Sequence, residues 1–141
     1  MKTYKKLLLI IVALVFTFAG CKKYEDGPTI SLLPKKWRVD NTWKIDKVLE
    51  NGQDVTSAYN AILPGYTMEM KKDNTYTDNY TGGSASTGKW AFDSKKESIT
   101  MTPDGGSSAT TLKILKLKNS EMWLTDNDPN TPTEIHYVSS K

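Results

Sequence analysis

Residue types that do covalent or metal chemistry are scarce in this sequence. One histidine, His136, and one cysteine, Cys21, stand among 141 residues. A nucleophile needs a base beside it, and a zinc ion needs about three or four nitrogen or sulfur ligands. His136 and Cys21 supply neither set. His136 lies between Ile135 and Tyr137 in an alternating stretch, so it shares a face with Glu134 and is expected to point to solvent. Gly82-Gly83-Ser84-Ala85-Ser86 places Ser86 where a nucleophile elbow has its second glycine, and no helical pattern follows. Asp126-Asn127-Asp128-Pro129-Asn130 spaces oxygens like the start of a calcium loop. It lacks the central glycine, and Tyr137 stands where the bidentate glutamate belongs, so it reads as a polar turn. The glycine clusters at 82–88 and 105–106 lack the Gly-Lys-Ser/Thr run of a phosphate loop. We expect no catalytic residue, no metal ligand, no cofactor, and no enzyme.

What remains is a set of rings and one carboxylate. Tyr66, Tyr76, Tyr80, Trp90, Phe92 and Tyr137 fall on faces that alternation turns inward. Asp78 shares the face of Tyr76 and Tyr80, and an inward acid must be paired, hydrogen-bonded, wet or neutral. Two readings stay open. Asp78 sits in water at the mouth of a barrel, or it lines a polar pocket with Tyr76, Tyr80 and Lys47 and orients a ligand. Lys47 has the same ambiguity beside Trp43, Ile45 and Leu49. The rings, likewise, either fill a core or line a cavity for one small apolar or amphipathic ligand. The candidate ligand-binding residues are Tyr66, Tyr76, Asp78, Tyr80 and Trp90. A site there calls for a cavity of about 300 Å³ or more touching Tyr76, Tyr80 and Trp90, and the lack of such a void would favour the filled core. Paired-carboxylate chemistry would instead need a second acid within about 10 Å of Asp78. Trp123 faces away from Met122 and Leu124. Its expected cover is the segment 30–37; left bare, it would offer a platform to a protein or glycan partner.

The elements that must position these residues are strands. From Trp43 onward the pattern has period two and is broken by turn chemistry every eight to twelve residues or so. Trp43–Leu49 is the first strand, closed by the turn dipeptide Asn51-Gly52. Asp54–Tyr59 reads as a short helical turn capped by Asp54 or Thr56. Further strands carry Tyr66, Met68 and Met70, then Tyr76 and Tyr80, then Trp90 and Phe92, then Ile99 and Met101. A Gly/Ser loop at 82–88 separates the second and third of these. Leu112, Ile114, Leu115 and Leu117 follow, with a slip in the alternation that predicts a bulge between Ile114 and Leu115. Met122 with Leu124, and Ile135 with Tyr137, complete the set. The expectation is an all-β fold: an eight-stranded antiparallel up-and-down barrel with one short helical turn after the first strand. About eight strands enclose just enough room for side chains or one small ligand.

The first twenty residues read differently. Lys2, Lys5 and Lys6 precede Leu7–Ala19, a run of thirteen residues without charge. That run is shorter than the ~20 residues of a membrane-spanning helix and ends in small residues, the form of a secretory signal. Of 19 basic and 16 acidic residues, the three lysines belong to this segment, which leaves 16 of each from Cys21 onward. The net charge of +3 is therefore that of the signal, and no basic face for nucleic acid is expected on the domain. With a single cysteine, no disulfide forms within the chain. Lys22–Pro28 is polar and aperiodic, a tether.

Two resemblances follow from these residues. Phe18-Ala19-Gly20-Cys21 resembles the lipobox of bacterial lipoproteins, with phenylalanine where leucine is usual. That resemblance implies cleavage before Cys21, acylation of its thiol and amine, palmitate among the acyl groups, and an outer-membrane lipoprotein of the cell envelope. Several acyl chains, at ~0.8 kcal/mol per buried methylene, make a firm anchor. Trp43-Lys44-Ile45 through Asn51-Gly52-Gln53-Asp54-Val55-Thr56 looks like the opening of the lipocalin-like domains of such lipoproteins. Lys72-Asp73-Asn74-Thr75-Tyr76-Thr77 and Thr87-Gly88-Lys89-Trp90-Ala91-Phe92 look like their later hairpin and strand. Asn74 stands where the family often has glycine, and Asn41-Thr42 precedes the tryptophan where true lipocalins have glycine. The likeness spans about residues 30 to 139, in a divergent group mostly without assigned ligands. The organisation expected is a signal peptide at 1–20, a lipidated tether at 21–29 and a barrel domain at 30–141. The function expected is non-catalytic binding of a small apolar or amphipathic ligand on a membrane anchored through Cys21. The other reading is a filled barrel that presents loops to a protein or glycan.

Overall fold

Alternation and turn chemistry become one continuous antiparallel sheet in the computed structural model, which describes residues 33–106 and 108–140. The expected signal peptide, the acylated Cys21, the tether and residues 30–32 lie outside the described residues. In chain order the elements are α1 (Lys35–Val39), β1 (Asn41–Glu50), β2 (Gln53–Asp54), α2 (Thr56–Ile62), β3 (Thr67–Met70) and β4 (Thr75–Asn79). They continue with β5 (Ser86–Phe92), β6 (Ser98–Pro103), β7 (Thr110–Leu117), β8 (Glu121–Thr125) and β9 (Thr133–Ser139). Each strand from β3 to β9 pairs with the next, β1 pairs with β3, and β9 returns to β1 to close the wall. Closure removes the free edges an open sheet would leave. Eight strands form the barrel, and β2 is a two-residue appendage on the end of β1. The fold is the expected up-and-down barrel.

Turn residues act as their chemistry dictates. Asn51 and Gly52 both take positive φ, at 51° and 77°, and fold β2 back onto β1. Asn74, where the resemblance led one to look for glycine, holds φ 72°, and its side-chain amide donates to the Trp90 carbonyl. The bulge in β7 falls where the alternation slipped, between Ile114 and Lys116. A second bulge, in β1 between Ile45 and Lys47, was not expected. It turns Val48 inward to full burial and sends Lys47 outward, where its ammonium sits 3.9 Å from Asp54. Lys47 therefore does not join the interior face with Trp43 and Ile45. The short helix lies at Thr56–Ile62; its N-cap residue is Val55 with no side-chain cap bond, in place of the expected Asp54 or Thr56, and Asp54 Oδ1 accepts from the Thr56 amide and hydroxyl. The helix α1 had no sequence expectation.

The two ends of the barrel differ. At the end where β1 begins, Val39, Trp43, Met70, Trp90, Ile99, Ile114, Leu117 and Met122 are all at most 2% exposed. The helix α1 caps this end. Arg38 donates from Nε and Nη2 to the Leu33 carbonyl and from Nη1 to the Leu117 carbonyl. Trp43 donates from its indole to the Val39 carbonyl at 3.0 Å. At the other end α2 buries none of its residues, and Ile62 is 74% exposed. β1 leaves β3 after Lys44, so the wall parts on the α2 side.

Candidate functional site

The parted end holds a cavity of about 220 Å³ that opens partly to solvent. Strand order places its lining. Tyr66 immediately precedes β3 and Met68 lies in it, Tyr76 and Asp78 come from β4, and Met101 and Pro103 from the end of β6. Thr110 and Leu112 open β7, Leu124 lies near the end of β8, and Tyr137 lies in β9. A second cavity of about 190 Å³ shares Thr110, Leu112 and Leu124 and extends to Tyr59 of α2, Asp126, Thr133 and Ile135. The mouth is thus one two-lobed opening with a common wall. Each lobe is smaller than the 300 Å³ expected. The reason is that the rings fill the closed half and leave only the mouth.

Tyr76 is the floor. It belongs to the buried core and also lines the larger lobe. Its ring lies across Gly88, where a Cβ would come within 2.6 Å of it and 2.4 Å of the Thr102 carbonyl. Gly88 is therefore a buried residue of β5, not part of the loop the sequence suggested.

The polar centre of the site is a hydroxyl against a carboxylate. Tyr66 donates to Asp78 Oδ1 at 2.7 Å. Tyr66 is the one hydrogen-bond partner of the Asp78 carboxylate among the described residues, so Oδ2 is left for water or a ligand. Burial raises the Asp78 pKa above the ordinary carboxylate value, and the hydrogen bond from Tyr66 opposes that rise only in part. Burial also pushes the hydroxyls of Tyr66 and Tyr137 far up, and the charge of Asp78 adds to both. Tyr76 is raised by burial and then by Asp78. The three phenols stay neutral donors through the physiological range. At the smaller lobe, burial works to raise Asp126. The amides of Thr133 and Asp128 that donate to its Oδ1 outweigh it and hold the group below its usual range.

Of the five expected ligand-binding residues, Tyr66, Tyr76 and Asp78 line the larger lobe. Tyr80 and Trp90 do not. β4 ends at Asn79, so Tyr80 leaves the alternation, and its ring packs on Gly83, where a Cβ would sit 2.0 Å from it. Trp90 lies in the closed half, with its indole donating to the Lys71 carbonyl and its ring edge-on to Phe92 at 5.3 Å. The expectation missed Met68, Met101, Pro103, Thr110, Leu112, Leu124 and Tyr137. All except Tyr137 stand within a few residues of a loop on the α2 side. Marking which end of each alternating strand faces that side would have found them.

Outside the barrel, two expectations are corrected. Trp123 is covered by His136, stacked on it at 3.9 Å, and by the Lys116 ammonium 3.9 Å from its ring, where the segment 30–37 was the expected cover. That cover removes the support that a bare Trp123 would have given to a partner-binding reading, which could also have rested on the loop at 82–88. His136 does face outward with Glu134, but the Trp123 ring and the Glu134 carboxylate leave its side chain only 13% exposed. In the loop after β8, Asp128 Oδ1 accepts from the amides of Asn130 and Thr131, so the polar turn is held by its own carboxylates. Among the described residues, no helix is long and apolar enough to cross a membrane.

Comparison with known proteins adds the following. A family model described as a lipocalin-like domain matches residues 39–124, from the last residue of α1 to Leu124 in β8. A lipocalin-like protein from Bacteroides uniformis ATCC 8492 has a similar structure, with TM-score 0.55 and 12% identity over 72% of this chain and 98% of that one. A DUF4847 family protein from Bacteroides vulgatus ATCC 8482 is also similar, with TM-score 0.53 and 14% identity over 74% of this chain and 95% of that one. At these identities the likeness concerns the fold alone. No curated protein matches the chain.

Proposed function

Because this chain belongs to the lipocalin-like domain family, we propose that it is a non-catalytic binding protein that takes one small apolar or amphipathic ligand into the mouth of its barrel. The observation that carries the reading is the Tyr66–Asp78 pair, bonded at 2.7 Å inside a cavity otherwise walled largely by Met68, Met101, Leu112, Leu124 and tyrosine rings. Apolar walls with a few convergent polar groups are the form of a small-ligand site. A ligand is held by the walls and oriented by Asp78 and the tyrosine hydroxyls. A neutral fluorescent probe, N-phenylnaphthylamine, tests the reading. It should brighten on binding the full chain and lose its signal in Leu112→Trp, which fills the wall shared by both lobes. Equal signal from both proteins would place the probe elsewhere and defeat the proposal.

We further propose that Cys21 is acylated and holds the domain on the outer membrane. The basic start, the short apolar run and Ala19-Gly20-Cys21 support this. Metabolic labelling with palmitate should mark the wild-type chain and not Cys21→Ala, which should leave the membrane fraction.

A further inference from the structure

We propose that the ligand of this mouth is an organic monocation, a protonated or quaternary amine on a small apolar body. The inference rests on the binding reading above and names the ligand's charge.

The charged residues that line the two lobes are Asp78 in one and Asp126 in the other, with no lysine, arginine or histidine among the lining residues of either. The domain is not short of cations. From Cys21 onward it has as many basic as acidic residues, yet no basic residue that the structure places lines either lobe: Lys47 meets Asp54, Lys116 meets Glu121, and Arg38 is buried at the α1 end. A site for a fatty acid or another carboxylate needs a donor cation at its polar centre, and here an anion would meet two acids.

The surroundings of Asp78 suit a cation in three ways. Its carboxylate lines the lobe and accepts from Tyr66 on Oδ1 alone among the described residues, so an ammonium can bond to Oδ2 without breaking the existing pair. Tyr66, Tyr76 and Tyr137 line the same lobe, and tyrosine faces attract cations. Met68 and Met101 add polarizable sulfur to the walls. The burial that disfavours the Asp78 charge is offset when a cation settles beside it. At about 220 Å³ the lobe admits an ammonium with a short chain or a single ring.

Calorimetric titration of the full chain at neutral pH with phenethylammonium, phenethyl alcohol and hydrocinnamate separates charge from shape, since the three share a ring and a chain. The ammonium should bind about tenfold or more tightly than the alcohol, and the carboxylate weakest of the three. In D78N the ammonium should fall to the affinity of the alcohol. An ammonium no tighter than the alcohol, a carboxylate as tight as the ammonium, or an advantage that survives D78N overturns the cation inference while the mouth remains a binding site. Binding by none of the three overturns both. Should D78N fail to fold, the wild-type ranking decides alone.

Discussion

The two ends of this barrel are made from the same alternation and put to opposite use. At the α1 end, inward positions carry Trp43, Met70, Trp90, Leu117 and Met122, and each is essentially removed from water. At the α2 end the inward positions carry Tyr66, Asp78, Pro103, Thr110 and Leu112, and a cavity remains. The helices repeat the contrast. The helix α1 buries Arg38 and Val39 across its opening, while α2 buries nothing across the other. Stability is concentrated where the core is dry, and freedom to bind is left where packing is incomplete. Tyr76, which both closes the core and floors the cavity, is the boundary.

The largest expected effect tests the dry end. Trp43→Ala deletes a fully buried indole and strands the Val39 carbonyl that it bonds. Equilibrium urea unfolding should show a loss of about 3–5 kcal/mol, and a loss under about 1 kcal/mol would mean that this end is not the seat of stability. Next comes the boundary. Gly88→Ala would drive a Cβ against the Thr102 carbonyl and the Tyr76 ring, at 2.4 and 2.6 Å. The carbonyl is backbone of the neighbouring strand and cannot swing aside, so about 1–3 kcal/mol should be lost by the same measurement.

At the mouth the ranking should reverse. Leu112→Trp adds volume where space exists, so unfolding should move by less than about 1.5 kcal/mol. Binding of N-phenylnaphthylamine should nevertheless weaken about tenfold or more, because the added ring occupies the wall common to both lobes. A variant that lost stability as Trp43→Ala does would erase the distinction between the ends.

The sequence displayed the dry end more clearly than the wet one, for a physical reason. Large apolar side chains at period two, as at Trp90 and Phe92 or Met68 and Met70, announce both a strand and its buried face. Those positions kept their faces. Where one extra residue enters a strand, the period breaks silently: in β1 the residues around Asp46 look regular, and the bulge exchanges Lys47 for Val48 on the inner face. The site suffered from a second effect. Tyr80 continues the alternation of Tyr76 and Asp78 on paper, but pairing with β3 ends at Asn79, and a residue beyond the last ladder bond has no fixed face. Thr110, Pro103 and Leu112 are unremarkable one by one. They became site residues only through the register that sets the ends of β6 and β7 beside Asp78, and register between strands is a property of pairing.

The smallest expected effect has the opposite sign and probes the mouth's half-buried acid. Burial holds the Asp78 pKa above its ordinary 3.8, so the folded chain keeps a proton that the unfolded chain has already released. Between 3.8 and the raised folded value, stability therefore falls as pH rises, and above that value the cost of the buried charge is complete. Asp54 and Asp73, lowered by their Thr56 and Thr75 hydrogen bonds, act in reverse: their contribution is full above the unfolded value and is lost as pH falls through their depressed values. Acid titration of the wild type alone mixes the two. Comparison with Asp78→Asn isolates the mouth, since asparagine can still accept from Tyr66 while carrying no charge. Asp78→Asn should be the more stable protein at neutral pH, and the gap should close as pH falls toward 3.8, with unfolding followed by urea at each pH. A gap that stayed constant with pH, or favoured the wild type at neutrality, would mean that the carboxylate is as well solvated as any surface acid. The open end would then differ from the closed one in packing and not in electrostatics.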